Sequence, residues 1–322
     1  MIDTLCFSSG GFQGLLFISS LKCLVDNNYI DLNKITTYVG TSIGAVVSFL
    51  LIIGYTPEEL YIFFKNYDFK SLELKFDLLL LEKNLENFGL DSCDNFIDLI
   101  KFLFEKKTKL KLLNITLKEF YILTKKNFII NATNFNKGTE AILNHKTTPD
   151  VLVWQAIRMS ISIPIIYTPV LYKNEYYVDG GLCSDILLAY CNPKTTLGFY
   201  IENIDNYELK SLQDLILGSI LILSNKNKKS YSNYKLIKFK KVNSKIISLN
   251  ITQECIEEIL VAGMKITKEF ILKEIKKKII TEKINIQNKT DNIIKETINN
   301  IITTIEKKNI FVTNKIKRSL SI

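Results

Sequence analysis

One histidine, His145, one tryptophan and five prolines are all that this 322-residue chain contains of those residues. A serine–histidine–acid triad would therefore have to use His145. Its setting, Asn144-His145-Lys146-Thr147-Thr148-Pro149, reads as a polar surface loop before a helix capped by Thr148 with Pro149 at its first position, so a direct role in catalysis is not expected of it. The six cysteines, Cys6, Cys23, Cys93, Cys183, Cys191 and Cys255, contain no C-x-x-C pair and read as buried thiols of a reducing compartment. One imidazole and scattered thiols do not make the usual zinc spacings, and no 12-residue calcium loop is present; neither metal nor cofactor is expected. No Gly-Lys-Ser/Thr follows a glycine loop, which excludes a Walker-type nucleotide site. Met1 to Leu5 lacks a basic start, Ser9 to Gly14 interrupts any apolar leader, and the longest apolar run, Ile43 to Tyr55, falls short of the roughly 20 residues that span a bilayer. The expectation is an intracellular, cytoplasmic protein, peripheral on membranes at most. With 47% hydrophobic residues the chain can bury a large core.

Three glycine-marked segments stand out. Thr4 to Ser8 reads as a buried strand, and Ser9-Gly10-Gly11-Phe12-Gln13-Gly14 then opens a helix with Leu15, Leu16, Ile18, Leu21 and Leu24 on its apolar face. Such a loop offers bare backbone N–H groups, suited to a phosphate or to an oxyanion. The dinucleotide reading is weak, because Ser9 replaces the first glycine and neither Asp26 nor Asp31 ends a clear second strand. Further on, the strand-like Ile35 to Val39 leads into Gly40-Thr41-Ser42-Ile43-Gly44 and the apolar run Ala45 to Ile53. A serine held on a sharp strand-to-helix turn between glycines is a nucleophile elbow, and the following helix turns its N-terminal amides toward it. The competing reading is a glycine-lined turn in a structural helix. Finally, Glu175 to Val178 ends in Asp179-Gly180-Gly181, either a reactive carboxylate at a strand end or a β-turn capping itself.

In this order and spacing the three segments resemble the patatin-like phospholipase family. Gln155 to Pro164 with Tyr167-Thr168-Pro169 is similar to that family's helix end and Ser-x-x-Pro turn. The resemblance implies Ser42 as nucleophile, Asp179 as base, and the amides around Gly10 and Gly11 as oxyanion hole. Ser9 and Gln13 stand where the family usually has glycine and a basic residue, and Asp185 and Leu187 near its asparagine and proline. An aspartate acting directly on serine needs a dry pocket, since an exposed carboxylate near pKa 4 is a weak base at neutral pH.

Helix starts at Thr56-Pro57-Glu58-Glu59, Asp91 to Phe104 and Thr116-Leu117-Lys118-Glu119, and a strand at Asn127 to Thr133, give alternating strands and helices. The fold class expected is α/β, a largely parallel sheet flanked by helices, with loop, elbow and Asp179 at its carboxyl edge. Phe63, Phe64 and Leu78 to Leu81 are candidates for an acyl-chain channel or for ordinary core. The catalytic domain is expected over 1–200 and a helix-rich Lys/Asn/Ile extension over 201–322, in which Leu215 to Leu223 reads as a buried helix or an interfacial patch. Residues 264–322 carry fourteen Lys/Arg against six Asp/Glu, so this tail holds +8 of the formal +9. Ile266, Phe270, Ile275 and Ile279, and Ile294, Ile298, Ile301 and Ile305, fit amphipathic helices with basic faces, suited to anionic lipid or to a solvated bundle. The basic residues lack the interleaved aromatic platforms of a nucleic-acid tail, and no nucleic-acid partner is expected. The Lys/Asn/Ile bias also fits an AT-rich genome such as that of some large DNA viruses.

The expectation is a lipid acyl hydrolase acting through an acyl-Ser42 intermediate. The alternatives are a catalytically silent membrane- or lipid-binding protein of the same fold and a hydrolase of non-lipid esters or thioesters. His145→Ala should retain most ester hydrolysis, measured as kcat/KM on a soluble ester; abolished turnover with an intact circular dichroism spectrum would instead require a triad.

Overall fold

The computed structural model describes residues 1–72, 86–202, 231–240 and 252–319, together with Gly218. They fall into two compact units, Met1–Lys268 and Glu269–Ile322. The first is built on one sheet of strands β1 (Thr4–Phe7), β2 (Thr37–Thr41), β4 (Asn127–Asn134), β5 (Thr139–Leu143), β7 (Val170–Tyr172), β8 (Glu175–Asp179), β9 (Thr196–Glu202) and β10 (Lys235–Lys240). Their order is β10-β9-β1-β2-β4-β8-β7, with β5 also paired to β4. The five strands from β10 to β4 are mutually parallel, whereas β5, β8 and β7 are antiparallel to their neighbours. A second, two-stranded sheet joins β3 (Gly89–Asp91) to β6 (Ile165–Tyr167).

Parallel strands covered on both faces read as continuous apolar runs, and Leu5, Cys6 and Phe7 of β1 are all fully buried. The register separates the two faces. Phe7 pairs with Phe199, and both rings meet Phe17 of helix α1 (Leu15–Asp26), with Phe239 completing the cluster. On the same face Phe49 of α2 (Ile43–Ile52) stacks on Phe104 and Phe120 and touches Phe128. The opposite face, with Cys6, Val39 and Tyr200, is covered by Ile186, Leu187 and Leu188 and by Tyr231 and Tyr234.

The helix starts follow local chemistry. α3 (Pro57–Asn66) and α5 (Leu117–Thr124) both open on capping boxes, Thr56 with Glu59 and Thr116 with Glu119. α4 begins at Asp94 and runs to Thr108, later than the expected Asp91, because Asp91 closes β3 and Cys93 takes a left-handed conformation. β2 lies two residues beyond its expected span, ending at the elbow itself. Thr148 caps no helix: α6 (Val153–Ser160) starts after Leu152. Thr148 instead bonds back to Asn144, whose side chain also accepts the Lys146 and Thr147 amides. Nor is His145 a free surface side chain, since its ring lies flat on Tyr121 at 3.9 Å between centroids.

The boundary expected near residue 200 falls inside the first unit. β9 crosses it, β10 adds a further parallel strand, and α7 (Gln253–Ser319) buries Ile256, Ile259 and Leu260. Thr267 donates to Ser20 of α1 at 2.6 Å. Gly263 brings the two helices together, because a Cβ there would lie 2.1 Å from Ser19 Oγ and 2.8 Å from the Leu16 carbonyl. The second unit is the remainder of α7, one continuous helix where several were expected, with Leu272, Ile275, Ile279 and Ile294 exposed. Leu78 to Leu81, and Leu215 to Leu223 apart from Gly218, lie outside the described residues. Among the described residues no helix is long and apolar enough to cross a membrane.

Gly263→Ala gains roughly 1 kcal/mol in helix propensity but forces the helices apart at a typical cost of about 1–3 kcal/mol. The expected outcome is a lower midpoint in urea unfolding.

Candidate active site

Ser42 has φ 55° and ψ −122°, a strained conformation for a residue with a side chain. Two glycines make it possible. A Cβ on Gly40 would lie 2.3 Å from the Gly44 carbonyl group, and one on Gly44 would lie 2.5 Å from the Phe7 oxygen and 2.7 Å from that of Ser8. These are backbone atoms and cannot yield, so the elbow is seated directly on the end of β1. Gly14 meets Ile43 in the same way, with side-chain carbon at 2.4 Å, which places the glycine loop against the start of α2.

The Ser42 hydroxyl donates to Asp179 Oδ2 at 2.6 Å. Asp179 arrives on a strand running against the parallel ones. β4 continues three residues past Asn131, the partner of Thr41 at the end of β2, and Asp179 pairs with Ala132 on that overhang. The hairpin thus delivers the carboxylate to the carboxyl edge of the parallel strands from beyond it. Its other oxygen, Oδ1, accepts the Gly181 amide at 2.7 Å, its own amide donates to the Ser162 carbonyl at 2.8 Å, and its carbonyl accepts Thr133 Oγ1 at 2.9 Å. Gly180 lies under Asn131, whose side-chain oxygen would be 2.3 Å from a Cβ at that position.

Both side chains are buried, Ser42 being 5% and Asp179 6% exposed. Burial pushes the Asp179 carboxyl up to about 6, against the opposing pull of hydrogen bonds from Ser42 and the Gly181 amide. Among the described residues no base other than Asp179 bonds the serine hydroxyl, and His145 is engaged with Tyr121.

The glycine loop is anchored at its first residues: the Ser8 amide donates to the Phe199 carbonyl at 3.0 Å and the Ser9 amide to that of Asp185 at 2.7 Å. Gly11 has φ 55°, and a Cβ there would meet nothing within 4 Å, so this residue faces open space, whereas Gly10 backs onto Ile201. Ala45 is the first amide to bond the Ser42 carbonyl, at 2.9 Å; those of Ile43 and Gly44 precede the helical ladder. Gln13 is fully buried. Phe12 continues an aromatic series, with its ring 5.5 Å from Phe69, which in turn contacts Phe64 and Tyr67. Phe63, which touches both Phe64 and Tyr67, extends it further.

Two serines of the Gln155–Pro164 segment, to which the sequence assigns no role of their own, hold Ser42 and Asp179 in register. Ser160 Oγ accepts the Ser42 amide at 3.0 Å, and the Ser162 carbonyl holds the Asp179 amide. Arg158 is buried beside them, with its guanidinium on the Ser92 carbonyl, on Thr168 and on the Ser162 hydroxyl. The only signal for these roles was the Ser-Ile-Ser spacing at a helix end before Pro164.

A model of the family described as patatin-like phospholipase matches residues 5–191, more than half of the sequence, and the chain belongs to that family. It is 36% identical over 197 residues to "Probable lipid hydrolase 463L" of Invertebrate iridescent virus 6, a match spanning 59% of this chain and 65% of that protein. It is 35% identical over 180 residues to "Uncharacterized protein R571" of Acanthamoeba polyphaga mimivirus, spanning 56% and 58%. The chain therefore matches about three-fifths of the length of these curated relatives. Among solved structures, VipD from Legionella pneumophila shares the fold, with a TM-score of 0.50 at 15% identity over 84% of this chain and 67% of that one.

Because the folded Asp179 keeps its proton up to about pH 6 while an unfolded aspartate loses it near 3.8, its own contribution to native stability falls as pH rises between these values, by about 3 kcal/mol in all. Asp179→Asn should accordingly raise the Tm at pH 7.5, with the gain shrinking toward pH 4 in scanning calorimetry.

Proposed function

We propose that this chain is a serine lipid acyl hydrolase that cleaves carboxyl esters of phospholipids, lysophospholipids or acylglycerols through a Ser42–Asp179 dyad. The observation that carries this reading is the 2.6 Å bond from the Ser42 hydroxyl to a buried carboxylate. In the ionised enzyme Asp179 takes the hydroxyl proton as Ser42 Oγ attacks the ester carbonyl carbon. Charge on the tetrahedral oxygen is received by the amides of Gly10 and Gly11 and by the N-terminus of α2, where positive dipole and unpaired donors coincide. Collapse expels the alcohol, which leaves with the proton from Asp179. Water then attacks the acyl-serine, Asp179 accepts its proton, and the fatty acid departs as the proton returns to Ser42.

Each chemical requirement falls to this chain's own groups, so the reaction calls on no calcium ion. The acyl chain lies along the aromatic series from Phe12 through Phe69 to Phe64, beside the amides that hold the carbonyl. The basic tail, +8 over residues 264–322, with exposed Leu272, Ile275 and Ile279, supports peripheral attachment to anionic lipid.

A fluorophosphonate probe should label the wild-type protein and fail to label Ser42→Ala, and turnover of a lipid ester should rise with pH through about 6 as Asp179 ionises. Equal turnover by Ser42→Ala would end this reading. A mass-spectrometric survey of lipids consumed by the wild-type protein then names the substrate.

A further inference from the structure

The turn that follows Asp179 also fastens the glycine loop, and the fastening runs through Asp185. Its backbone carbonyl takes the Ser9 amide at 2.7 Å, and its carboxylate Oδ2 takes the Tyr200 hydroxyl at 3.0 Å. Tyr200 belongs to β9, the strand beside β1, and its two neighbours hold the preceding residue of the loop. Phe199 offers its carbonyl to the Ser8 amide at 3.0 Å, and the Ile201 amide donates to Ser8 Oγ, also at 3.0 Å. The Asp185 turn is tied on its far side to β4, where Asn131 Nδ2 donates to the carbonyls of Gly180 and Ser184 at 3.1 and 3.2 Å.

Between these anchors and Gly14, Gly10 backs onto the Ile201 side chain, whose Cδ1 would lie 2.4 Å from a Cβ there, Phe12 meets Phe69, and Gln13 is fully buried with its amide on the Gly10 carbonyl. Gly10 and Gly11 carry no side chains to interlock, and the Cβ direction of Gly11 is empty. Where the Gly10 amide sits is therefore set by the Ser9 anchor on one side and by Ile201 of β9 on the other. The turn also leaves no room for a side chain to grow freely toward the loop, since a Cβ on Gly181 would lie 3.4 Å from both the Cβ and the Oγ of Ser9. A phenol bonded to a carboxylate is a charge-assisted pair, about twice as strong as a neutral one, and Tyr200 is only 8% exposed.

We propose that Asp185 and Tyr200 are positioning residues, whose hydrogen bond fixes the Ser9 anchor and thereby aligns the Gly10 and Gly11 amides with the Ser42–Asp179 dyad. The inference rests on the acyl hydrolase reading and adds to it the device that holds the oxyanion site in place. A loose loop costs transition-state stabilisation without disturbing either member of the dyad.

Tyr200→Phe removes one oxygen and tests the link. Misplacement of reacting groups by about 1 Å costs up to roughly 10²-fold, so kcat on a soluble aryl ester should fall about tenfold or more, with KM and the acid limb set by Asp179 both unchanged. Hydrogen exchange by mass spectrometry should be faster in peptides covering residues 4–14. Asp185→Asn keeps an oxygen to accept the Tyr200 hydroxyl but loses the charge assistance, so its kcat should lie between those of the wild type and Tyr200→Phe. Unchanged kcat in Tyr200→Phe, a shifted acid limb, unaltered exchange of the loop, or an Asp185→Asn variant as impaired as Tyr200→Phe would each overturn the proposal. If the wild type shows no Ser42-dependent turnover, the acyl hydrolase reading fails, and the exchange measurement still decides whether Tyr200 holds the loop.

Discussion

A hydroxyl bonded to a buried carboxylate is the interaction around which this molecule is organised. In water such a contact would be weak and the acid a poor base; out of water the carboxylate loses its hydration and its proton affinity climbs. The dry environment follows from the sheet. β8 lies against β4, Ser162 and Thr133 secure the backbone of Asp179, and the Gly181 amide leaves one carboxylate oxygen committed and the other aimed at Ser42. Two hydrogen bonds to the ionised form temper the cost of burial, which is why the shift stops near 6 instead of going further.

Much of this was legible in sequence because it rests on glycine. Gly40 and Gly44 are required by backbone atoms within 2.3–2.7 Å of a would-be Cβ, and such obligatory positions leave a spacing that can be read. The capping boxes at Thr56 and Thr116 were legible for a similar reason, since each is a local bargain between residues three apart. Readings failed where a competing local partner or a distant one took the group. Thr148 looks like a cap until Asn144 claims it. The direction of β8 depends on the overhang of β4, which no local pattern encodes. Ser160 and Arg158 sit in an ordinary amphipathic helix, and their partners are Ser42, 118 residues away, and Ser92, 66 away.

The extent of the first unit shows the same effect at larger scale. Composition changes near residue 200, yet β10 and the first turns of α7 complete the core of the sheet and the surface of α1. Lys235, Lys238 and Lys240 alternate with Leu236, Ile237 and Phe239 in β10, and only Ile237 and Phe239 are deeply buried. An edge strand of this kind needs few apolar residues, and its lysines discourage pairing with another chain.

The end of α6 carries a further implication. Ser160 takes the amide of Ser42 and the carbonyl of Ser162 that of Asp179, so two rungs of one short peptide act as a caliper whose jaws are those two residues. The gap it sets is a property of a helix terminus, a rigid ruler graduated in peptide units, and not of the long segments that carry Ser42 and Asp179. Loops elsewhere are thereby free to lengthen, shorten or change character while the distance between hydroxyl and carboxylate stays the same.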